Sequence, residues 1–332
     1  MLKNIKLTSV DCLSKWDEFV SQSDQGSIFC KSFWLRAVTR NNFEIITLQS
    51  GGSILAGMPI PFSLKKPGRI TNPVFTQTLG ILFGNSERCS YEGKLSEQIE
   101  LTQELIRAIP HFDFFQLNFH YRFTNWTPFY WANFDQTTRY TYVIQDISNP
   151  DQVLAEFSSA KRNDVKKATK TVVCNLDWSP KDFYCYHKMC LKKENEAIRY
   201  GWDSFSLLAD ACQGANASQV FRAVDKDGNT HAAMFIVYDA TSAYLLQTAI
   251  DPEFRRTSAL SFLIYQAICY FSSRSRAFDF EGSMIPGPEA SYRKFGGRQM
   301  PIMQISLDRR PALQKAVTWS KRLGMKLLMR FK

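Results

Sequence analysis

Apolar positions in the first half of the chain change period several times, and each change marks an element. Leu13–Ser21 has helical spacing, and a mixed segment, Gly26–Leu35, follows it. Phe43–Gln49 and Ile54–Phe62 read as strands joined by a Gly51-Gly52 turn, with Pro59 and Pro61 marking the second as an edge or bulged strand. Turn formers fill residues 63–90. A helix is expected over Lys94–Ala108, stopped by Pro110, and then a strand at Phe112–Phe119.

The second half repeats that order. Val220–Val224 and Thr230–Tyr238 form a hairpin around Asp227-Gly228. Ala243–Ile250 is a further strand, and Asp251–Thr257 is a loop. Ser258–Ser273 is a helix with Ser258 placed to cap it. A short buried strand, Ala277–Glu281, comes next, and Met303–Leu307 is expected to close the sheet. Ile54–Ile60 matches His231–Val237 in kind, and Phe112-Asp-Phe-Phe matches Phe278-Asp-Phe-Glu. A repeat longer than a solenoid unit implies duplicated domains. A turn cluster at Ile147–Pro150, after a strand at Tyr140–Ile144, places the boundary. The expected division is 1–148, 149–308 and a terminal segment, 309–332.

Composition narrows the function classes. The 332 residues are 45% hydrophobic and 22% charged, which is globular and long enough for two cores. No apolar run is long enough to span a membrane, and no signal core follows Met1, so a cytoplasmic protein is expected. The eight cysteines form no C-x-x-C pair and the four histidines are dispersed, which points to reduced thiols and no metal site. Residues 309–332 hold +8 of the net +10, so the body is nearly neutral at +2. A surface that grips nucleic acid is basic over its body, which counts against RNA.

Four segments resemble the FemABX family and its relatives, whose domains are built on the GNAT acyltransferase fold. They are Phe29 with Ser32-Phe33-Trp34-Leu35; the basic stretch Phe157–Ala168; Phe183–Gly201, ending Arg199-Tyr200-Gly201; and Phe278-Asp-Phe-Glu-Gly-Ser283 followed by Tyr292-Arg-Lys-Phe-Gly-Gly297. The resemblance implies an α/β (α+β) fold of two tandem GNAT-like domains, each a mixed, mostly antiparallel sheet flanked by helices. It also implies transfer of an acyl or aminoacyl group from a thioester or ester to an amine of a cell-envelope or polysaccharide precursor.

In such a domain two parallel strands splay and the donor fills the gap, where freed backbone N–H groups stabilise the oxyanion. Here the splayed strands would be Ala243–Ile250 and Ala277–Glu281. The donor, acyl-coenzyme A, would lay its diphosphate on the turn Arg255, Arg256, Ser258 and Ala259 at a helix N-terminus, with Ala259 where the family pattern has its first glycine. Glu281 is the expected general base and Tyr292 the proton donor to the leaving group. Strand alternation puts Asp279 and Glu281 on one face, with Asp279 read as a structural carboxylate. Lys161, Arg162, Gln247, Ser283 and Lys294 are the expected contacts to a small-molecule or lipid-linked amino-sugar acceptor.

Two rivals remain. The same fold could use aminoacyl-tRNA, although the long helical arm of some tRNA-using relatives has no counterpart in this sequence. Alternatively, a catalytically idle GNAT-like module would bind a membrane or a partner. Residues 312–332 plot as an amphipathic helix with a basic face, the pattern of a helix lying on an anionic membrane surface, here the inner face of the cytoplasmic membrane.

Overall fold

The computed structural model describes residues 3–7, 10–282 and 284–311, with side chains from Cys12 onward. The proposed membrane helix 312–332 and Ser283 lie outside the described residues. The chain begins β1 (Lys3–Leu7), α1 (Val10–Gln22), α2 (Ser32–Thr39), β2 (Phe43–Ser50), β3 (Ser53–Pro61), β4 (Arg69–Thr71), β5 (Leu82–Phe83), α3 (Tyr91–Ala108) and β6 (Phe114–Asn118). It continues through α4 (Thr127–Trp131), β7 (Asp135–Ile144), α5 (Pro150–Glu156), α6 (Ser159–Ala168), β8 (Val173–Asn175), α7 (Pro180–Lys193), α8 (Trp202–Gly214), β9 (Ser218–Val224) and β10 (Thr230–Tyr238). The last elements are β11 (Ser242–Ile250), α9 (Ala259–Phe271), β12 (Ala277–Asp279), α10 (Pro286–Tyr292) and β13 (Arg298–Asp308).

Two sheets organise these elements. A four-stranded sheet has the order β1-β2-β3-β5, and a nine-stranded sheet has the order β4-β6-β13-β7-β12-β11-β10-β9-β8. The expected hairpins are present as β2–β3 and β9–β10. Pro59 and Pro61 lie where β3 faces only β2, beyond its short contact with β5, so their missing N–H groups break no ladder on the outer side. Strand β10 is buried on both faces, which is why it reads as a continuous apolar run. Ala232, Met234 and Ile236 pack in the core that α9 covers, while Ala233, Phe235 and Val237 pack in the core with Phe183 of α7 and Phe205 of α8.

The structure corrects three expectations. Met303–Leu307 does not close the second half's sheet: β13 inserts between β6 and β7, pairing Ile305 with Leu117 on one side and Gln136 on the other. Such pairing over almost 190 residues leaves no trace in local periodicity. Ser258 stands at the N-cap position of α9, but with φ 61° and ψ 22° its side chain makes no capping bond and turns to Asp164 instead. The strand expected to reach Glu281 stops at Asp279, because Glu281 (φ 56°) and Gly282 (φ 61°) both take left-handed backbone. A left-handed residue does not continue the pleat, so alternation no longer fixes where the Glu281 side chain points.

Candidate active site

The nine-stranded sheet opens in its middle. Parallel strands β11 and β12 pair only over Ser242–Ala277, Ala243–Phe278 and Tyr244–Asp279. Beyond Tyr244, β11 runs on to Ile250, while the chain after Asp279 follows β7, with the Phe280 N–H donating to the Tyr142 carbonyl at 3.0 Å. At the point of parting, Ile236 of β10 faces two residues of β11, Leu245 and Leu246, in a β-bulge. Beyond Tyr244, β11 is no longer paired with β12; N–H groups on such an unpaired strand edge can donate to a developing oxyanion.

The opening is a cleft of about 310 Å³, at the lower end of the usual range for small-molecule sites. Leu246 and Gln247 of β11 and Glu281, Gly282 and Met284 beyond β12 line it, with Asn118, Ile302, Arg139 and Tyr140 from neighbouring strands, and Pro73, Phe75, Thr76 and Gln77 from the first half of the chain. Both halves therefore build one site.

The Phe29…Ser32-Phe-Trp-Leu35 segment holds that loop in place. Ser32 is anchored through its hydroxyl and N–H by the Asp17 carboxylate. Phe29 packs on Tyr244 of β11 at 4.8 Å and edge-on against Trp34 at 5.0 Å. The buried Trp34 Nε1 donates to Thr76 Oγ1 at 2.9 Å. Asn72 Nδ2 donates to the Thr76 and Gln77 carbonyls, and Gln77 Nε2 donates to the Glu281 carbonyl. Phe75, at φ 68°, pushes its ring against Tyr200 and Phe205. A bulky residue in that backbone region is strained, and these contacts hold it there.

Glu281 is the most unusual group in the cleft. Its Oε1 is fully enclosed and has no hydrogen-bond partner among the described residues. Burial, and next the Asp279 charge, push its carboxyl well above the usual value of 4.5. Asp279 is fixed differently: its Oδ1 accepts from Thr141 Oγ1 and, at 2.8 Å, from the Glu281 N–H. Burial raises Asp279 from 3.8 to about 6, against the pull of those two donors. Asp279 thus shapes the turn that presents Glu281.

This has a pH signature. The folded state holds the Asp279 proton more tightly than the unfolded chain does. That stabilisation is full below about pH 4 and is lost as pH rises to about 6. At about 1.4 kcal/mol per pH unit the swing is on the order of 3 kcal/mol. Asp279→Asn keeps an acceptor oxygen and removes the titration, so unfolding free energy measured from pH 4 to 6.5 is expected to flatten. An unchanged slope would show that Asp279 does not titrate there.

The structure separates the expected site residues into two groups. Glu281 and Gln247 meet in the cleft. Tyr292 packs at a tilt against Phe280 at 5.4 Å, beside the Glu281 charge but outside the cleft lining; burial and then that charge raise its hydroxyl above the usual 10.0. The other described ones lie along α6 and on the turn before α9. Lys161 Nζ donates to Ser261 Oγ at 2.9 Å and lies 4.7 Å from the Phe295 ring. Arg162 donates to the Ala155 and Phe157 carbonyls. Arg255 pairs with Glu194, exposed Arg256 gives its carbonyl to Lys167 Nζ at 2.8 Å, and Ala259 is buried as the first residue of α9. Lys294 is exposed, and its carbonyl accepts from the Ser158 N–H. The cleft residues Thr76, Gln77, Asn118, Arg139 and Tyr140 carry no motif, and only their tertiary position reveals them. Among the described residues, no three His, Cys, Asp or Glu side chains cluster to hold a metal ion.

This splayed sheet with helices on both faces is the GNAT architecture in tandem. Residues 189–290 match the family model described as an acetyltransferase (GNAT) domain. The chain has the FemABX-like form of that fold: it aligns with the crystal structure of FemX at a TM-score of 0.67 and 12% identity, over 90% of this chain and 96% of that one. A tandem GNAT protein from the clavulanic acid biosynthesis pathway aligns at 0.54 and 11% identity, over 94% and 100%. L-PGS from Bacillus licheniformis aligns at 0.53 and 10%, over 95% and 96%. No curated protein sequence matches the chain.

Proposed function

We propose that the protein transfers an acyl or aminoacyl group from a thioester or ester to an amine, in the cleft where β12 leaves β11. One observation carries this reading: β11 and β12 part after Tyr244–Asp279, and Glu281, with its enclosed and partnerless Oε1, belongs to the lining of the cleft between them. The donor carbonyl would lie along the β11 edge beside the Leu245–Leu246 bulge. The amine attacks it, the tetrahedral oxyanion is held by β11 N–H groups, and the Glu281 carboxylate takes the proton that the amine nitrogen loses. Collapse breaks the C–S or C–O bond, and the departing sulfur or oxygen takes the proton back from Glu281 to leave as thiol or alcohol. Replacing Glu281 by Gln tests the assignment and is argued in the Discussion.

The acceptor reading is an amine on a lipid-linked or cell-envelope precursor. Flanking the cleft, Val74, Met284 and Ile285 are 60%, 52% and 58% exposed, with Arg139 alongside. That rim suits a molecule with an apolar chain and an anionic group. The C-terminal domain of a putative lysylphosphatidylglycerol synthetase from Agrobacterium fabrum, which shares the fold, comes from a protein named for a lipid product, which agrees with it. Among the described residues no helix is long and apolar enough to cross a membrane. Membrane contact would fall to residues 312–332, whose bases contribute about 1 kcal/mol each near an anionic surface. Intact protein is expected to co-sediment with anionic liposomes and a 1–311 form to do so at least tenfold less. Equal sedimentation removes the tail from the account.

A further inference from the structure

The turn that leads into α9 occupies the position where a GNAT domain lays the donor's diphosphate on a helix N-terminus. In this chain one of its own carboxylates is already there. Asp164, on α6, accepts from Ser258 Oγ at 2.8 Å and from Ser261 Oγ at 3.4 Å, the residues that stand at the cap and in the first turn of α9. Lys161 Nζ sits 3.5 Å from the same carboxylate and donates to Ser261 Oγ, so the cation that would neutralise an incoming phosphate is spent internally. Lys167 Nζ ties the Arg256 carbonyl to α6, and Arg255 is held by Glu194. The anion that a helix N-terminus favours is therefore supplied by the fold itself.

We propose that Asp164 is a specificity-determining residue that excludes a diphosphate from the α9 N-terminus. The donor is then held by its acyl or aminoacyl portion in the cleft, and a nucleotide diphosphate adds nothing to its affinity. This rests on the transferase reading and names which donors it accepts. A diphosphate approaching the turn meets a like charge a few ångströms away, and the two serine hydroxyls that could bind it are already donating to Asp164. Asp164→Asn removes the like charge while keeping an acceptor, and Asp164→Ala removes both; in each, the Lys161 ammonium loses its carboxylate partner.

The test is calorimetric binding of coenzyme A and of pantetheine, which lacks the nucleotide diphosphate, to the full-length wild type and to Asp164→Asn and Asp164→Ala. Asn is nearly isosteric, so it reports even if Ala weakens the fold, and thermal melts monitor both. Wild type is expected to bind the two ligands within about threefold of each other. Each variant is expected to gain about tenfold for coenzyme A, with pantetheine unchanged. A larger wild-type preference for coenzyme A, or no gain in either variant, overturns the proposal. Neither outcome touches the transferase reading, which stands on the turnover of the Glu281 variant.

Discussion

Glu281→Gln is expected to lower transfer to an amine by about a hundredfold to ten-thousandfold, the range over which a positioned general base acts. Gln keeps the size of the side chain and loses its ability to take a proton. The pH profile adds a readout that a packing change would not produce. A base works only when deprotonated, so wild-type kcat/KM should rise with pH through a carboxyl value displaced well above 4.5. That limb should vanish in the variant. The fold does not suffer: a carboxyl raised by burial stabilises the folded state below its ordinary value and loses that contribution as pH rises through its folded one. The Gln variant should therefore be at least as stable as wild type above that pH. Wild-type turnover with an unchanged pH limb would remove Glu281 as the base.

Gly282→Ala is expected to damage both stability and activity. Gly282 has φ 61°, and an added Cβ would sit 2.1 Å from the Tyr140 carbonyl oxygen and 2.6 Å from Thr141 Cα. Those are backbone atoms of β7, which cannot swing aside as a flexible side chain can. Left-handed alanine costs about 1–2 kcal/mol, and forced repacking adds about 1–3 kcal/mol. Urea unfolding should show a loss on the order of 2–5 kcal/mol. Because β7 and the 281–282 turn form one wall of the cleft, transfer should fall even where the variant stays folded. Gly287→Ala is the control, since its Cβ would meet nothing within 4 Å. Equal behaviour of the two variants would mean that the close approach of Gly282 to β7 has no consequence.

The parts of the fold that show in the sequence are those stabilised locally. The hairpins, α3 and α9 are each specified by a period of two or of three to four, bounded by turn residues or caps. Ser90, for example, caps α3 by accepting from the Gly93 N–H. Strand β7 was legible only over its C-terminal half, Tyr140–Ile144, most of which is buried; its first residues alternate between partly buried and exposed, a weak apolar signal. The insertion of β13 was invisible because its partners lie far away in the chain.

The same division holds at the site. Gln247 lies on β11 and Glu281 just beyond the end of β12, so reading the two strands that part found them. The opposite wall comes from Pro73–Gln77, a turn-rich stretch whose place depends on Trp34 binding Thr76. Arg139 and Tyr140 reach the cleft only because β7 borders β12. Asp164 was hidden among lysines: a helix read for its basic face conceals the one acid that turns inward.

The central claim is that the gap between β11 and β12 seats the acyl donor. Backbone amide NMR during titration with an acyl-pantetheine, and separately with an aminoacyl ester, tests it at single residues. The account predicts shifts concentrated at Leu245–Gln247 and at Glu281–Gly282. Silence there, with shifts confined to the separate groove lined by Asp146, Glu156 and Arg298, would contradict it.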